Sequence, residues 1–322
     1  MEAPVTASIV VASHGRPLRL RWLLNALEEQ TLPHEEWEVV LVHDYDAETA
    51  QRVIERHPLY GAGVLRHTAI EPGTGSPAKQ RNIGWREARG ELVAFTDDDC
   101  RPEPQWLEEL VRVARDAAGQ VVQGTVRGDP FEKGVRRAPH VRTIWIEPVG
   151  RYAQTCNILY PRELIDGLGG FDERAVAGED VDMSLRARAE GRTIVAAPEA
   201  LVYHCVESHT LPGVIRQNLK WRYLAYLVSR HPEFRAEMPL RIFWDEEHLW
   251  TTLAMAGAAG AVRKPWLAVL AAPYVVRASR RRGSDLRGRV TAVTEIPGQA
   301  VRQVAEVLGM AAGGVRHRTL VL

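Results

Sequence analysis

The stretch ELVAFTDDDC, residues 91–100, runs from four apolar residues, Leu92-Val93-Ala94-Phe95, straight into three consecutive carboxylates, Asp97, Asp98 and Asp99. The apolar run reads as a buried strand. Neighbouring like charges raise one another's pKa, so a triplet of this kind stays ionised only around something positive. In an extended Asp-x-Asp, alternate side chains share a face, which would bring Asp97 and Asp99 together and turn Asp98 away. A hard divalent cation fits such a pair, since Mg2+ and Mn2+ take oxygen ligands and are commonly held by one or two carboxylates plus substrate phosphates. Taken alone, the three acids read equally well as a solvated turn ahead of a helix.

The same pattern of an apolar run ending in polar residues recurs upstream. Residues 8–12 (SIVVA) end in Ser13-His14-Gly15-Arg16, and residues 38–42 (EVVLV) end in His43-Asp44. Residues 62–67 suit a third strand, and helical spacing appears between the strands at 18–30 (Leu20, Leu23, Leu24, Leu27), 47–56 and 78–89. Strands alternating with helices predict an α/β fold with a mostly parallel, Rossmann-like sheet. Ligands of such sheets sit beyond the carboxyl ends of the strands, so Ser13, His14, Asp44 and the acidic triplet are expected to line one cleft. Downstream, a helix is expected over 104–117, a strand over 121–126, a lid or loop over 128–146, and a further strand-like segment over 157–161. A helix over 181–190, short strands over 193–197 and 200–204, and a helix over 217–231 follow, and the composition changes near residue 240.

Lysine plus arginine equals aspartate plus glutamate at 41 each, so no global field recruits nucleic acid. The three cysteines are far apart, without a C-x-x-C pair, and the N-terminus lacks a basic start and a long apolar run. Together these features predict a reducing, cytoplasmic setting.

The segment SPAKQRNIGWREARGELVAFTDDDCRPEPQWLEELV (76–111) resembles the donor-binding half of inverting glycosyltransferases of family 2, which have the GT-A fold. SIVVASHGRPLRLRWLLNALEEQTLP (8–33) and EVVLVHD (38–44) resemble that family's first strand, first helix and second strand. CNILYPRELIDGLGGFDERAVAGEDVDMSLRARAEG (156–191) resembles its acceptor half, and the likeness spans roughly residues 6–231. The resemblance implies a catalytic domain over 1–240, with a donor half to about 127 and an acceptor half from about 128, followed by a helical extension over 241–322. It implies transfer of a sugar from a nucleotide-diphosphate donor, a UDP-sugar by preference, to a hydroxyl of a saccharide, lipid-linked or small-molecule acceptor, with Mn2+ or Mg2+ as cofactor.

On the donor side the resemblance assigns Ser13, Asp44, Lys79, Arg81, Asp97 and Asp98. Asp99 is the direct metal ligand, with Asp97 nearer the ribose or sugar and His204 completing the metal shell. Asp180 becomes the general base, taking the proton of the attacking hydroxyl, and Glu179, with Gly170 of the Gly-Gly-Phe-Asp-Glu turn, binds acceptor. Asp182 reads as a cap of the helix that begins there. Gln217, Lys220 and Trp221 resemble a Gln-x-x-Arg-Trp acceptor motif with lysine in place of arginine, which loses the planar fork. Blander roles stay open: helix-surface charges for Lys79 and Arg81, helix-dipole acids for 179–182, a structural histidine at 204 and a core tryptophan at 221. A sugar-1-phosphate nucleotidyltransferase would want a glycine-rich phosphate loop after the first strand, which Ser13-His14-Gly15-Arg16 supplies poorly. A degenerate, non-catalytic transferase-like adaptor is the other alternative.

In the extension, 249–262 and 265–276 are apolar segments separated by Arg263-Lys264-Pro265, each shorter than the roughly 20 residues that span a bilayer. With the basic cluster Arg277, Arg280, Arg281, Arg282, Arg287 and Arg289 they suit an interfacial hairpin touching a membrane over 249–289, peripheral on its inner face. A packed helical subdomain or a homodimer contact are the other readings of this region.

Overall fold

Consecutive apolar residues in β1 (Ala7–Ser13), β2 (Trp37–His43) and β4 (Leu92–Asp97) are required because each strand is covered on both faces. Ile9 and Val11, Val39 and Leu41, and Ala94 pack in one core, whereas Val10, Val40, Val93 and Phe95 pack in the other. The computed structural model describes residues 5–135, 138, 140–280 and 286–322. Within them, β3 (Leu65–Ala69), β5 (Cys100–Pro102), β6 (Val121–Gly128), the short β7 (Val141–Arg142), β8 (Ile158–Pro161) and β9 (Ile194–His204) follow. The helices are α1 (Pro17–Glu28), α2 (Ala47–Ala50), α3 (Pro58–Gly61), α4 (Pro77–Glu87), α5 (Trp106–Asp116), α6 (Arg162–Leu168) and α7 (Glu179–Ala189). Beyond them come α8 (Leu211–Asn218), α9 (Leu224–Arg230), α10 (Glu246–Ala261), α11 (Ala272–Ser279) and α12 (Leu286–His317).

The main sheet has the order β3-β2-β1-β4-β8-β6-β9-β5. The first four strands are mutually parallel, β8 is inserted antiparallel between β4 and β6, β9 is parallel to β6, and β5 lies antiparallel on the edge. The sheet is thus the mostly parallel α/β sheet expected. Strand order reverses at β1, which pairs with β2 on one side and β4 on the other, so the crevice between their carboxyl ends is where a ligand of such a sheet binds.

Two features differ from the sequence expectation. The two short strands expected over 193–197 and 200–204 are one strand, Ile194–His204, because the pairing with β6 slips at a bulge, where Gly124 faces Ala197 and Thr125 faces Leu201. The extra residues are tied in by Asn157, whose amide donates to Thr125 O at 2.9 Å and Ala200 O at 2.8 Å while its oxygen accepts from Trp106 Nε1 at 2.8 Å. The short edge strand β5 has no sequence signature, being three residues, Cys100-Arg101-Pro102, between Asp99 and Glu103. It pairs Cys100 with His204.

By packing, the chain divides into one unit of Met1–Arg136 and Thr143–Glu207, and another of Arg137–Arg142 and Ser208–Leu322. Residues 208–240, grouped by composition with the first domain, belong to the second unit because α8 and α9 pack against α12. Of the 128–146 stretch, residues 136, 137 and 139 lie outside the described residues, as do Arg281 and Arg282 of the basic cluster. All three cysteines are free and buried. No described helix is long and apolar enough to cross a membrane.

Ala88-Arg89-Gly90-Glu91, which leads into β4, has a packing reason for its glycine. A Cβ on Gly90 would lie 2.7 Å from Ala7 C and Ser8 N, while Gly90 N donates to Ser8 Oγ at 2.9 Å and Ser8 Oγ to buried Glu38 at 2.7 Å. Gly90→Ala should therefore cost roughly 1–3 kcal/mol through overpacking. A lower urea midpoint with an unchanged m-value checks this, and an unaltered midpoint would refute it.

Candidate active site

The acids at the strand ends are held by two arginines and by the end of β1. Asp97, the last residue of β4, accepts from Arg81 Nη2 at 2.9 Å. Asp98 and Asp99 lie in the turn that follows, so the alternation of an extended strand does not continue through them. Asp97 and Asp99 consequently take different partners instead of sharing a face. Asp98 swings under β1, where it accepts from Ser13 Oγ at 2.7 Å and His14 N at 3.2 Å, with Arg16 Nε 3.4 Å away. Burial pushes its carboxyl up to about 6, against the pull of Arg16 and Ser13. Asp99 meets the Arg16 guanidinium and accepts from the Cys205 thiol at 3.1 Å. Burial would raise its pKa, but His204 and Arg16 outweigh that and hold it below the ordinary value.

The β5–β9 pairing brings His204 and Cys205 to Asp99: Cys205 N donates to Asp99 O at 3.0 Å, and His204 Nε2 lies 3.6 Å from Asp99 Oδ1. A carboxylate oxygen, an imidazole nitrogen and a thiol sulfur fall within 4.8 Å of one another here. His204 Nδ1 lies 3.0 Å from Cys205 O, which as a carbonyl can only accept, so Nδ1 donates there and Nε2 is the ring nitrogen turned toward Asp99. Burial raises the Cys205 thiol, which donates to Asp99 and so stays protonated. The carboxylate and the imidazole of this group are a set that suits Mn2+ better than Mg2+. Asp97 is not part of this group.

Arg81 is the hinge of the cleft. Its side chain is only 6% exposed, and it donates to Asp97 on one side and, through Nη1 at 2.8 Å, to Glu179 on the other. Helix α4 presents it because Ser76 caps that helix, accepting from Lys79 N at 3.2 Å, and Pro77 opens it. Asp180 follows at the start of α7. Burial, reinforced by the Glu179 charge and opposed by Arg81, raises its carboxyl to about 7. Asp182 does not cap α7; it is buried and holds Arg186 Nε at 2.8 Å. Arg186 in turn donates to Leu168 O at 2.9 Å and Gly170 O at 2.7 Å.

Gly170 has φ +81, and a Cβ there would lie 2.4 Å from Asn82 Oδ1. Asn82 clamps the same turn, accepting from Phe171 N at 2.8 Å and donating to Phe171 O at 2.9 Å. The turn thus locks α7 to α4. Lys79 Nζ donates to Thr74 O at 3.1 Å in an exposed contact. Asp44 Oδ2 lies 2.6 Å from His14 Nδ1, while burial beside His67 lowers His43 to about 4 and keeps that ring neutral. Residues not singled out by sequence complete the cleft: Arg16, and Tyr45, whose hydroxyl meets Ser13 Oγ at 2.7 Å and accepts from Arg16 N at 3.1 Å. Arg16 sits inside a tetrapeptide already marked as a strand end, and its charge beside an expected acid cluster was the available signal.

In the second unit, Gln217 and Trp221 line a cavity of about 440 Å3 together with Arg142, Asn218, Gln299 and Arg302. Asn218 is buried, and its amide nitrogen has no hydrogen-bond partner among the described residues. Lys220 is exposed and does not line this cavity, so the structure separates it from Gln217 and Trp221.

Comparison with known proteins bears on the family and the fold. The sequence profile of Glycosyl transferase family 2 matches residues 8–166, and that of Glycosyl transferase family group 2 matches residues 92–279. The chain is 28% identical over 232 residues to the pre-mycofactocin glycosyltransferase of Mycobacterium tuberculosis, a match covering 67% of this chain and 47% of that protein. Its fold is similar to S. aureus TarS 1–349 in complex with UDP-GlcNAc, with TM-score 0.54 and 17% identity over 98% of this chain and 93% of that one. It is likewise similar to the mannosyltransferase PcManGT of Pyrobaculum calidifontis in complex with GDP-Man and Mn2+, with TM-score 0.56 and 19% identity over 98% and 89% of the two chains. With an α/β sheet of this order, acids at its switch point and profile matches that together run from residue 8 to 279, the chain belongs to glycosyl transferase family 2.

Proposed function

We propose that this protein transfers a sugar from a nucleotide-diphosphate sugar, with UDP-sugars preferred, to an acceptor hydroxyl in a single, inverting, metal-dependent displacement. The observation that carries the reading is Arg81, buried between Asp97 at the donor strand and Glu179 beside Asp180. One guanidinium thereby joins the acids expected to hold the leaving group to the acid expected to take the proton. The TarS and PcManGT structures hold UDP-GlcNAc and GDP-Man. Their shared fold supports a nucleotide-sugar donor here, while sugar and base stay part of the proposal.

Asp180, partly buried and raised to about 7, is suited to removing a proton near neutral pH. It accepts the proton of the acceptor hydroxyl as that oxygen bonds to the anomeric carbon, and the bond from that carbon to the diphosphate oxygen breaks. Asp99 and His204 would hold a divalent ion, whose contribution is to offset the negative charge developing on the departing diphosphate. Asp97 and Ser13 face the donor at the ends of β4 and β1, with Asp98 tying these ends together, and Asp44 closes the base side. Glu179, fixed by Arg81, presents its remaining acceptor capacity to acceptor hydroxyls. The acceptor is a saccharide, a lipid-linked sugar or a small molecule.

Incubation with UDP-, GDP- and dTDP-sugars plus Mn2+ should release the nucleotide diphosphate, and Asp99→Ala should abolish the Mn2+ stimulation. Pyrophosphate release, or Mn2+ dependence that survives in the variant, would contradict the reading. Asp180→Asn should bind donor normally but lose about 10²–10⁴ in transfer rate. In the parent protein the rate should rise with pH through about 7 and then level, because the base works deprotonated. A rate flat from acidic pH through neutrality, or full transfer by the variant, would remove Asp180 from that role.

A further inference from the structure

From residue 248 to residue 284 the chain contains no acidic residue, yet it carries Arg263, Lys264, Arg277, Arg280, Arg281 and Arg282. Its described part folds as a helical hairpin. The end of α10 turns back at Arg263-Lys264, whose amides both donate to Gly260 O, at 3.0 and 2.9 Å. The returning turn over Pro265–Ala271 lies so close to α10 that a Cβ on Gly257 or Gly260 would meet Leu267 at 2.8 or 2.6 Å. With Leu267 and Leu270 turned toward α10, the opposite side of the hairpin faces outward. Val262 is 88% exposed, Trp266 67% and Val269 63%, and Val275 and Val276 continue the surface into α11. Val262, Trp266 and Val269 exposed at the tip, with two cations beside them and no acid in the sequence from 248 to 284, depart from the mixed, interspersed charge of an ordinary solvated face.

From this arrangement we infer that the tip of the hairpin, Val262 to Val269, docks on an anionic lipid surface. An indole and valines enter the boundary between headgroups and acyl chains, while Arg263 and Lys264 meet the lipid phosphates. The charge decides the occupant: Arg277 on α11 is paired with Glu246 at 2.7 Å, but the tip itself carries only Arg263 and Lys264 beside its apolar side chains, so it repels a second copy of itself and complements a bilayer carrying negative headgroups. The hairpin lies on the surface, since α10 at 16 residues is shorter than a bilayer-spanning helix. This inference stands apart from the transfer reaction proposed above, and either can fail without the other.

Flotation of the full chain with vesicles of equimolar phosphatidylcholine and phosphatidylglycerol tests it, against vesicles of phosphatidylcholine alone. The protein should float with the anionic vesicles and much less with the neutral ones. Arg263→Gln with Lys264→Gln should weaken the partition about fivefold per cation removed. Trp266→Glu should abolish flotation while leaving nucleotide diphosphate release from a soluble donor unchanged. Absence of flotation by the parent protein, or flotation that survives Trp266→Glu, would overturn the inference. So would a dimer in sedimentation that Trp266→Glu dissociates, with no lipid binding by either form.

Discussion

A guanidinium buried in a protein must be met by negative charge, and Arg81 is met twice, by Asp97 sixteen residues on and by Glu179 ninety-eight residues on. Removing both carboxylates would leave that buried charge uncompensated, a loss of about 3–5 kcal/mol in comparable pairs. That constraint dictates much else. Helix α4 must present Arg81 at the crevice beside β1 and β4, and α7 must begin where Glu179 can reach it. The Asn82 clamp and the Asp182–Arg186 pair then fix the turn at Gly170 that delivers α7. The acidity of Asp180 follows from the same arrangement, since its burial and its neighbour Glu179 raise it while Arg81 restrains it.

The other end of the cleft depends on a three-residue strand. Pairing of β5 with β9 sets Cys100 opposite His204, and this register brings imidazole and thiol to Asp99. Arg16 binds across Asp98 and Asp99, so each acid of the triplet has a basic partner or a hydrogen-bond donor of its own. The electrostatic puzzle of three adjacent carboxylates is thus solved by separation: they diverge to Arg81, to the end of β1, and to Arg16 with His204.

Most of the sheet was legible because β1, β2 and β4 are continuous apolar runs, and only strands covered on both faces need such runs. The carboxyl-end positions of Ser13, Asp44 and the triplet followed from that pattern alone. What stayed hidden depends on tertiary pairing. The register of β5 against β9, the bulge that fuses two expected strands, and the divergence of Asp97 from Asp99 are set by contacts across the chain. Arg81 was visible as a residue near the donor, but its second partner was not, because nothing local to Glu179 points back to residue 81. The helical unit was the least legible: the apolar runs and the turn at Arg263 could be read, whereas the packing of residues 208–230 against α12 could not.

The stereochemistry of the first-formed product tests the account most directly, followed by the anomeric proton signals in NMR as a donor of known configuration is consumed. A single displacement with Asp180 as base predicts inversion at the anomeric carbon. A product that retains the donor's configuration would contradict it.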